Sequence, residues 1–133
     1  MKLFIDACFI IYLNTVTDEQ DKKKLNNLLS RILGEELYTD LLVLDETLYI
    51  SKKKYNVGYE ITFNFIEEII LPFTSIVPIE EGDYKLMKGY IKKYNLKPSD
   101  AIHLAVMDKI GITTVVSEDE DFDKTHIKRL WIM

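Results

Sequence analysis

The feature that most constrains this chain is an alternation. Short, unbroken apolar runs are separated by longer segments with helical periodicity. A short apolar run without polar alternation reads as a strand buried on both faces, and such strands belong to parallel sheets covered by helices. Residues 2–6 (Lys-Leu-Phe-Ile-Asp) open the series with a strand that ends in a carboxylate. Residues 112–116 (Ile-Thr-Thr-Val-Val), all five β-branched, give the clearest strand. Residues 37–39, 73–79 and 129–132 supply three more.

The intervening segments read as helices. Residues 7–14, apolar as far as Leu13, begin a helix. Thr17 and Asp18 offer N-cap chemistry for an amphipathic helix over 19–36, whose stripe is Leu25, Leu28, Leu29, Ile32 and Leu33, with Lys22, Lys23 and Lys24 near its start. Asp40 caps a helix over 41–53 with Leu41, Leu44 and Leu48 inward, and Leu42 and Tyr49 beside them. Asn56 and Gly58 break the chain before a helix over 59–70, which Pro72 ends because proline disfavours α geometry in the residue before it. Glu80 and Glu81 open a helix running to Tyr94. Pro98 and Ser99 start another over 99–110, stopped by Gly111, and an acidic turn follows at 117–124. Strands alternating with helices in this way predict an α/β fold with a parallel central sheet and helices on both faces.

With 133 residues, 5 Gly and 3 Pro, the chain has the size of one domain and no stretch that reads as a long linker, so residues 1–133 are expected to fold as a single unit. Cys8 is the one cysteine and has no internal partner, which suits a reducing cytoplasm. The apolar run at the N-terminus is too short for a signal peptide, and no stretch approaches the roughly 20 apolar residues of a membrane span. A cytoplasmic protein without membrane contact is the expectation. The net charge of −5 argues against broad electrostatic binding of nucleic acid, but acidic residues gathered round a divalent ion would lower the sum without excluding a nucleic-acid enzyme.

Four carboxylates then stand out. Asp6 closes the first strand and Asp119 lies just beyond the strand at 112–116, and carboxyl ends of strands are where a parallel sheet builds its site. Asp100 sits in the first turn of the 99–110 helix. Glu46 lies inside the 41–53 helix, next to Asp45, and only helical phase separates those two. Each has an ordinary reading: a turn or cap residue for Asp6, a favourable helix-dipole contact for Asp100, a solvated side chain for Glu46, an exposed acidic run for Asp119.

The flanking residues change that balance. Leu-Phe-Ile-Asp-Ala-Cys surrounds Asp6, and Leu-Val-Leu-Asp-Glu-Thr-Leu surrounds Glu46. Ser-Asp-Ala-Ile-His-Leu-Ala carries Asp100, and Ser-Glu-Asp-Glu-Asp-Phe carries Asp119. In this order and spacing, over nearly the whole chain, they resemble the PIN-domain nucleases, above all the toxin-type members called VapC. The resemblance implies a three-layer fold with about five parallel strands in the order 3-2-1-4-5. It implies catalysis and metal binding by Asp6, Glu46, Asp100 and Asp119, with Asp121 as a further metal contact and Ser117 in support. It also implies an endoribonuclease that uses Mg²⁺ or Mn²⁺ and leaves a 5′-phosphate and a 3′-hydroxyl. Its expected partners are RNA, a small antitoxin of a type II toxin–antitoxin pair, and a second copy in a homodimer. Cys8 departs from the pattern, which commonly has Ser, Thr or Asn there; it reads as a small buried residue and not as a nucleophile.

The chemistry is consistent with such a set. Hard divalent ions prefer oxygen ligands, and four clustered carboxylates would repel one another or take up protons without a cation. A bound ion lowers the pKa of water, and two ions steady the attacking and departing oxygens. No Cys/His set has zinc spacing. His103, one turn after Asp100 on the same helix face, is expected to pack and hydrogen-bond beside the site, with general base as the alternative. Lys52, Lys53 and Lys54, beyond Glu46, are the candidate phosphate contacts. Lys85, Lys88, Lys92, Lys93 and Lys97 come after them, and Tyr49, Tyr55 and Tyr59 are candidates for stacking on bases. The helices at 19–36 and 59–70 are candidate partner surfaces, or core. A phosphoaspartyl transferase of the haloacid-dehalogenase type would need an Asp where Cys8 stands, and a receiver domain would need an acid pair after the first strand. The remaining alternatives are a PIN fold that serves only as a binding module and a stand-alone RNA-processing nuclease.

Overall fold

The first strand sets the frame. In the computed structural model, which describes residues 1–132, β1 (Lys2–Ile5) lies at the centre of the sheet with Leu3, Phe4 and Ile5 buried. It pairs in parallel with β2 (Glu36–Asp40) on one side and β4 (Thr114–Val116) on the other. Beyond them lie β3 (Thr74–Val77) and β5 (Lys128–Leu130), also parallel, giving the order β3-β2-β1-β4-β5. The chain therefore winds outward from β1 in one direction and resumes on the other side of it. Right-handed crossovers then place the helices before β3 on one face and those between β3 and β4 on the other.

The first group is α1 (Ala7–Thr15), α2 (Glu19–Ile32), α3 (Leu41–Tyr55) and α4 (Tyr59–Phe65); the second is α5 (Asp83–Tyr94) and α6 (Pro98–Lys109). Asp6, Asp18 and Asp40 cap α1, α2 and α3, each carboxylate accepting a backbone N–H of the first turn. Asp6 thus stands just past β1, between strand and helix.

Several boundaries are shorter than the periodicity implies, each for a physical reason. α2 stops at Ile32 and not near residue 36, because Glu36 is already paired opposite Lys2 and the turn before it is closed by a Glu35 N–H to Ile32 carbonyl bond. The helix after Gly58 is α-helical only to Phe65 and continues as a π turn, Ile66–Ile70, which buries both Ile66 and Ile70. β3 begins at Thr74, because Leu71–Phe73 forms a 3-10 turn around Pro72, and it ends before Pro78, which has no N–H for the ladder. Glu80 and Glu81 belong to a turn preceding α5. The acidic segment after β4 contains a 3-10 turn, Glu120–Lys124.

The phase of α3 also differs from the reading by leucines. Its buried face is Val43, Leu44, Thr47 and Ser51, while Leu41 is 65% and Tyr49 50% exposed. Hydrogen bonds make the polar face tolerable in the core. The Thr47 hydroxyl donates to the Val43 carbonyl at 2.8 Å, and Asn14 Nδ2 donates to Ser51 Oγ at 3.2 Å and to Thr62 Oγ1 at 2.9 Å. This rotation aims Glu46, Ile50 and Lys54, at i, i+4 and i+8, along one edge of the helix toward the cleft described next. α2 turns its stripe of Leu25, Leu28 and Ile32 into the core, so it is no open groove.

Candidate metal centre

The cleft opens at the carboxyl ends of β1 and β4, where the winding reverses direction. About 240 Å³ in volume, it is lined by all four carboxylates singled out in the sequence: Asp6, Glu46, Asp100 and Asp119. Asp6 is held from two sides. Its Oδ1 accepts the Ala7 N–H at 2.8 Å and its Oδ2 accepts the Ser117 hydroxyl at 2.7 Å. Ser117 Oγ in turn accepts the Asp119 N–H at 3.0 Å, so one buried hydroxyl fixes both the first carboxylate and the loop that carries the last. The Asp121 N–H donates to Asp119 Oδ1 at 2.9 Å.

The donors form two adjoining sets. One carboxylate oxygen each from Asp100, Asp119 and Asp121 lie within 4.8 Å of one another, and so do one oxygen each from Asp6 and Glu46 with a ring nitrogen of His103. Glu46, and not its neighbour Asp45, is the acid that α3 presents here.

His103 is almost fully buried, and its Nδ1 lies 2.6 Å from Oδ2 of the equally buried Asp40. The other Asp40 oxygen caps α3 through the Val43 N–H at 2.9 Å. Asp40 was legible in the sequence only as a helix cap; its second role as partner of His103 was not. The available signal was positional, since Asp40 closes β2 much as Asp6 follows β1.

The electrostatics are those of an unneutralised cluster. Burial, with the nearby Asp6 charge, pushes the Asp100 carboxyl up to about 7. Burial and Asp6 also raise Glu46, which is half-buried. For His103 burial acts to lower the pKa, but the hydrogen bond and charge of Asp40 outweigh it and the net direction is up. Among the described residues, Lys97 is the cation paired with two of these acids. Its Nζ is 3.9 Å from Asp100 Oδ2 and 3.9 Å from Asp119 Oδ2, too far for hydrogen bonds, and Asp100 raises its pKa. Two buried polar atoms have no hydrogen-bond partner among the described residues, Asp100 Oδ2 and His103 Nε2, and both belong to this centre. Orphaned buried groups cost about 1–3 kcal/mol each unless something satisfies them. Oxygen-rich donors, orphaned lone pairs and carboxyls driven toward protonation together fit a hard divalent cation.

The other candidates fall as follows. Lys54 and Tyr55 line the cleft, with the ammonium 5.5 Å from the Tyr55 ring centroid. Lys52 lies over Tyr59, and Lys53 is bonded to the Tyr49 hydroxyl, both outside the lining. Lys85, Lys88, Lys92 and Lys93 ride on α5, away from it. Cys8 lines the cleft with its Sγ 3.6 Å from Ser117 Oγ; burial and then the Asp6 charge push its thiol up to about 12, which leaves it no nucleophile at neutral pH. His126 is half-exposed and bonded to Asp108 and Tyr94, remote from the centre.

Residues 3–128 match the family model described as the PIN domain. Ribonuclease VapC13 of Mycobacterium tuberculosis is 34% identical over 101 residues, which is 73% of this chain and 74% of that protein. Among solved structures, VapC20 of Mycobacterium tuberculosis, described as a sarcin-ricin loop cleaving toxin, has a TM-score of 0.75 at 18% identity, covering 91% of this chain and 92% of that one. The likeness extends to a toxin–antitoxin complex from Klebsiella pneumoniae, with a TM-score of 0.67 at 18% identity over 90% of this chain and 89% of that one. At such identities the structures speak to the fold.

Proposed function

The chain belongs to the PIN-domain family, and from that premise we propose that it is a metal-dependent endoribonuclease, the toxin of a type II toxin–antitoxin pair. The observation that carries the reading is Asp100 Oδ2, without a hydrogen-bond partner among the described residues and buried in a cleft where four acidic side chains from distant parts of the chain converge. Asp6, Glu46, Asp100 and Asp119 would hold the ion, Mg²⁺ or Mn²⁺, with Asp121 beside Asp100 and Asp119. Bound there, a divalent ion supplies charge neutralisation and acidifies water enough for attack on phosphorus near neutral pH.

The chain's own residues do the rest. Ser117 holds the Asp6 carboxylate in one rotamer, and through the Asp119 N–H it ties the loop after β4 to the end of β1. Lys97, paired only loosely with two acids, is placed to follow a phosphate oxygen entering the cleft. Lys54 and Tyr55 offer a charge and an aromatic face on which an unpaired nucleotide can rest. Single-stranded RNA suits this arrangement, because its bases are free to stack and its backbone can bend into a narrow cleft.

An antitoxin partner accords with the toxin names of the relatives. Of the two candidate partner surfaces, the stretch after Gly58 keeps the larger set of apolar side chains in solvent: Ile61 is 61% exposed, and Phe63, Ile69 and Phe73 are also exposed, whereas the 19–36 segment exposes Leu33 at its end. That face is the proposed contact for the antitoxin or for a second copy in a homodimer.

The test is cleavage of a mixed RNA pool in Mg²⁺ or Mn²⁺, with EDTA and with Asp100→Asn. EDTA should abolish cleavage, and Asp100→Asn should lower it by at least about 100-fold, the scale of losing a group that stabilises charge in the transition state. Cleavage that persists under both conditions refutes the mechanism.

A further inference from the structure

The half of the centre formed by Asp6, Glu46 and His103 differs in donor chemistry from the half formed by Asp100, Asp119 and Asp121. The first set contains an imidazole; the second is all carboxylate. The acids alone would not define a site. His103 supplies the independent observation, because its side chain is 1% exposed and its Nε2 has no hydrogen-bond partner among the described residues.

Asp40 decides which nitrogen is free. At 2.6 Å from Nδ1, its buried carboxylate can only accept, so Nδ1 carries a proton that it donates to Asp40. The remaining nitrogen, Nε2, keeps a lone pair in the neutral ring and is the one free to meet the oxygens of Asp6 and Glu46. A carboxylate that orients a histidine through one nitrogen and leaves the other for a cation is a common support for metal ligation. The Asp40 carboxylate is fixed in turn by the Val43 N–H at the start of α3, and the imidazole packs 5.3 Å from the Phe4 ring.

We propose that His103 is a direct metal ligand through Nε2, that Asp40 positions it, and that the Asp6–Glu46–His103 subsite consequently takes a first-row transition ion in preference to Mg²⁺. The inference rests on the metal-dependent reading above and deepens it. Imidazole suits transition ions, whereas Mg²⁺ binds through oxygen and keeps its waters. A mixed set of two carboxylates and one imidazole therefore biases the choice of ion, while the all-carboxylate half does not.

The test is pulsed electron paramagnetic resonance of the full chain loaded with Mn²⁺ and no RNA. The chain has only two histidines, so selective ¹⁵N-histidine labelling shows whether a histidine is bound, and one substitution at each says which. Expected are nitrogen couplings on bound Mn²⁺ that shift on labelling, persist in His126→Gln and vanish in His103→Phe. Asp40→Asn should weaken Mn²⁺ binding about 10–100-fold, as loss of an orienting partner does. Displacing Mn²⁺ should require about tenfold more Mg²⁺ in the wild type, and this preference should shrink in His103→Phe. Mn²⁺ that binds without histidine coupling overturns the assignment and leaves the carboxylate centre standing; the imidazole would then be a donor to Asp6 or Glu46. Failure of the wild type to bind Mn²⁺ at all overturns both this inference and the nuclease reading.

Discussion

At the scale of single residues, Asp100 ties function to stability most directly. Its carboxyl is pushed up to about 7 by burial and by Asp6, so the fold favours the protonated form. The sign follows. Below the ordinary Asp value near 4 both folded and unfolded chains hold the proton, and the group costs nothing. As pH rises from about 4 through 7 the unfolded chain gives up the proton first, and the metal-free fold loses stability across that window. Above pH 7 the loss is complete, on the order of 2 kcal/mol after discounting for partial solvent access. Asp100→Asn should therefore raise the melting temperature in EDTA at pH 8 by several degrees and leave it unchanged at pH 4. Added Mn²⁺ should reverse the order at pH 8, because only the wild type gains binding energy from it. An Asp100→Asn protein that is no more stable than wild type in EDTA at pH 8 would contradict the raised carboxyl.

Among the elements, the decisive contact is one that no hydrophobic pattern reveals. Asn14, at the end of α1, donates to Ser51 on α3 and to Thr62 on α4, and so holds three helices in register. Ser51 and Thr62 are fully buried, so Asn14→Leu would leave two hydroxyls without that donor. A cost of about 1–3 kcal/mol is expected in urea unfolding, with the slope unchanged. It should be accompanied by a loss of Mn²⁺ affinity, because α3 carries Glu46. An equal loss of stability with unchanged metal binding would show that α3 keeps its phase without Asn14. The same contact explains what the sequence could reveal. The helix caps at Asp18 and Asp40 and the stop at Gly111 follow from local chemistry and were legible, whereas the strand order was legible only through the family resemblance. The four acids were legible through the motifs around them, and the cleft gathers all four. The inward face of α3 was not, because a leucine pattern cannot anticipate that Thr47 and Ser51 satisfy their hydroxyls internally while Leu41 is left in solvent. The Asp40–His103 pair was hidden for a related reason: it joins residues 63 positions apart across two elements, and each residue alone has an ordinary local explanation.

For the whole molecule, the net charge of −5 limits how the chain can hold a polyanion. A nucleic-acid binder that relies on many phosphate contacts shows steep salt dependence, with about 0.7 of a logarithmic unit per contact on a single strand. Here, among the described residues, only the lysines Lys54 and Lys97 line the cleft, and Lys97 is partly engaged by Asp100 and Asp119. Affinity for a short single-stranded RNA, measured by fluorescence anisotropy with Asp6→Asn to silence cleavage, should therefore fall with salt with a slope of about −1.4. Lys54→Ala should flatten that slope by about 0.7, whereas Lys85→Ala on α5 should leave it alone. A slope several-fold steeper would mean that a basic surface away from the cleft carries the strand. A shallow slope instead assigns most of the selectivity to the cleft itself, where a divalent ion, one free lysine and an aromatic ring must act together on the same few nucleotides.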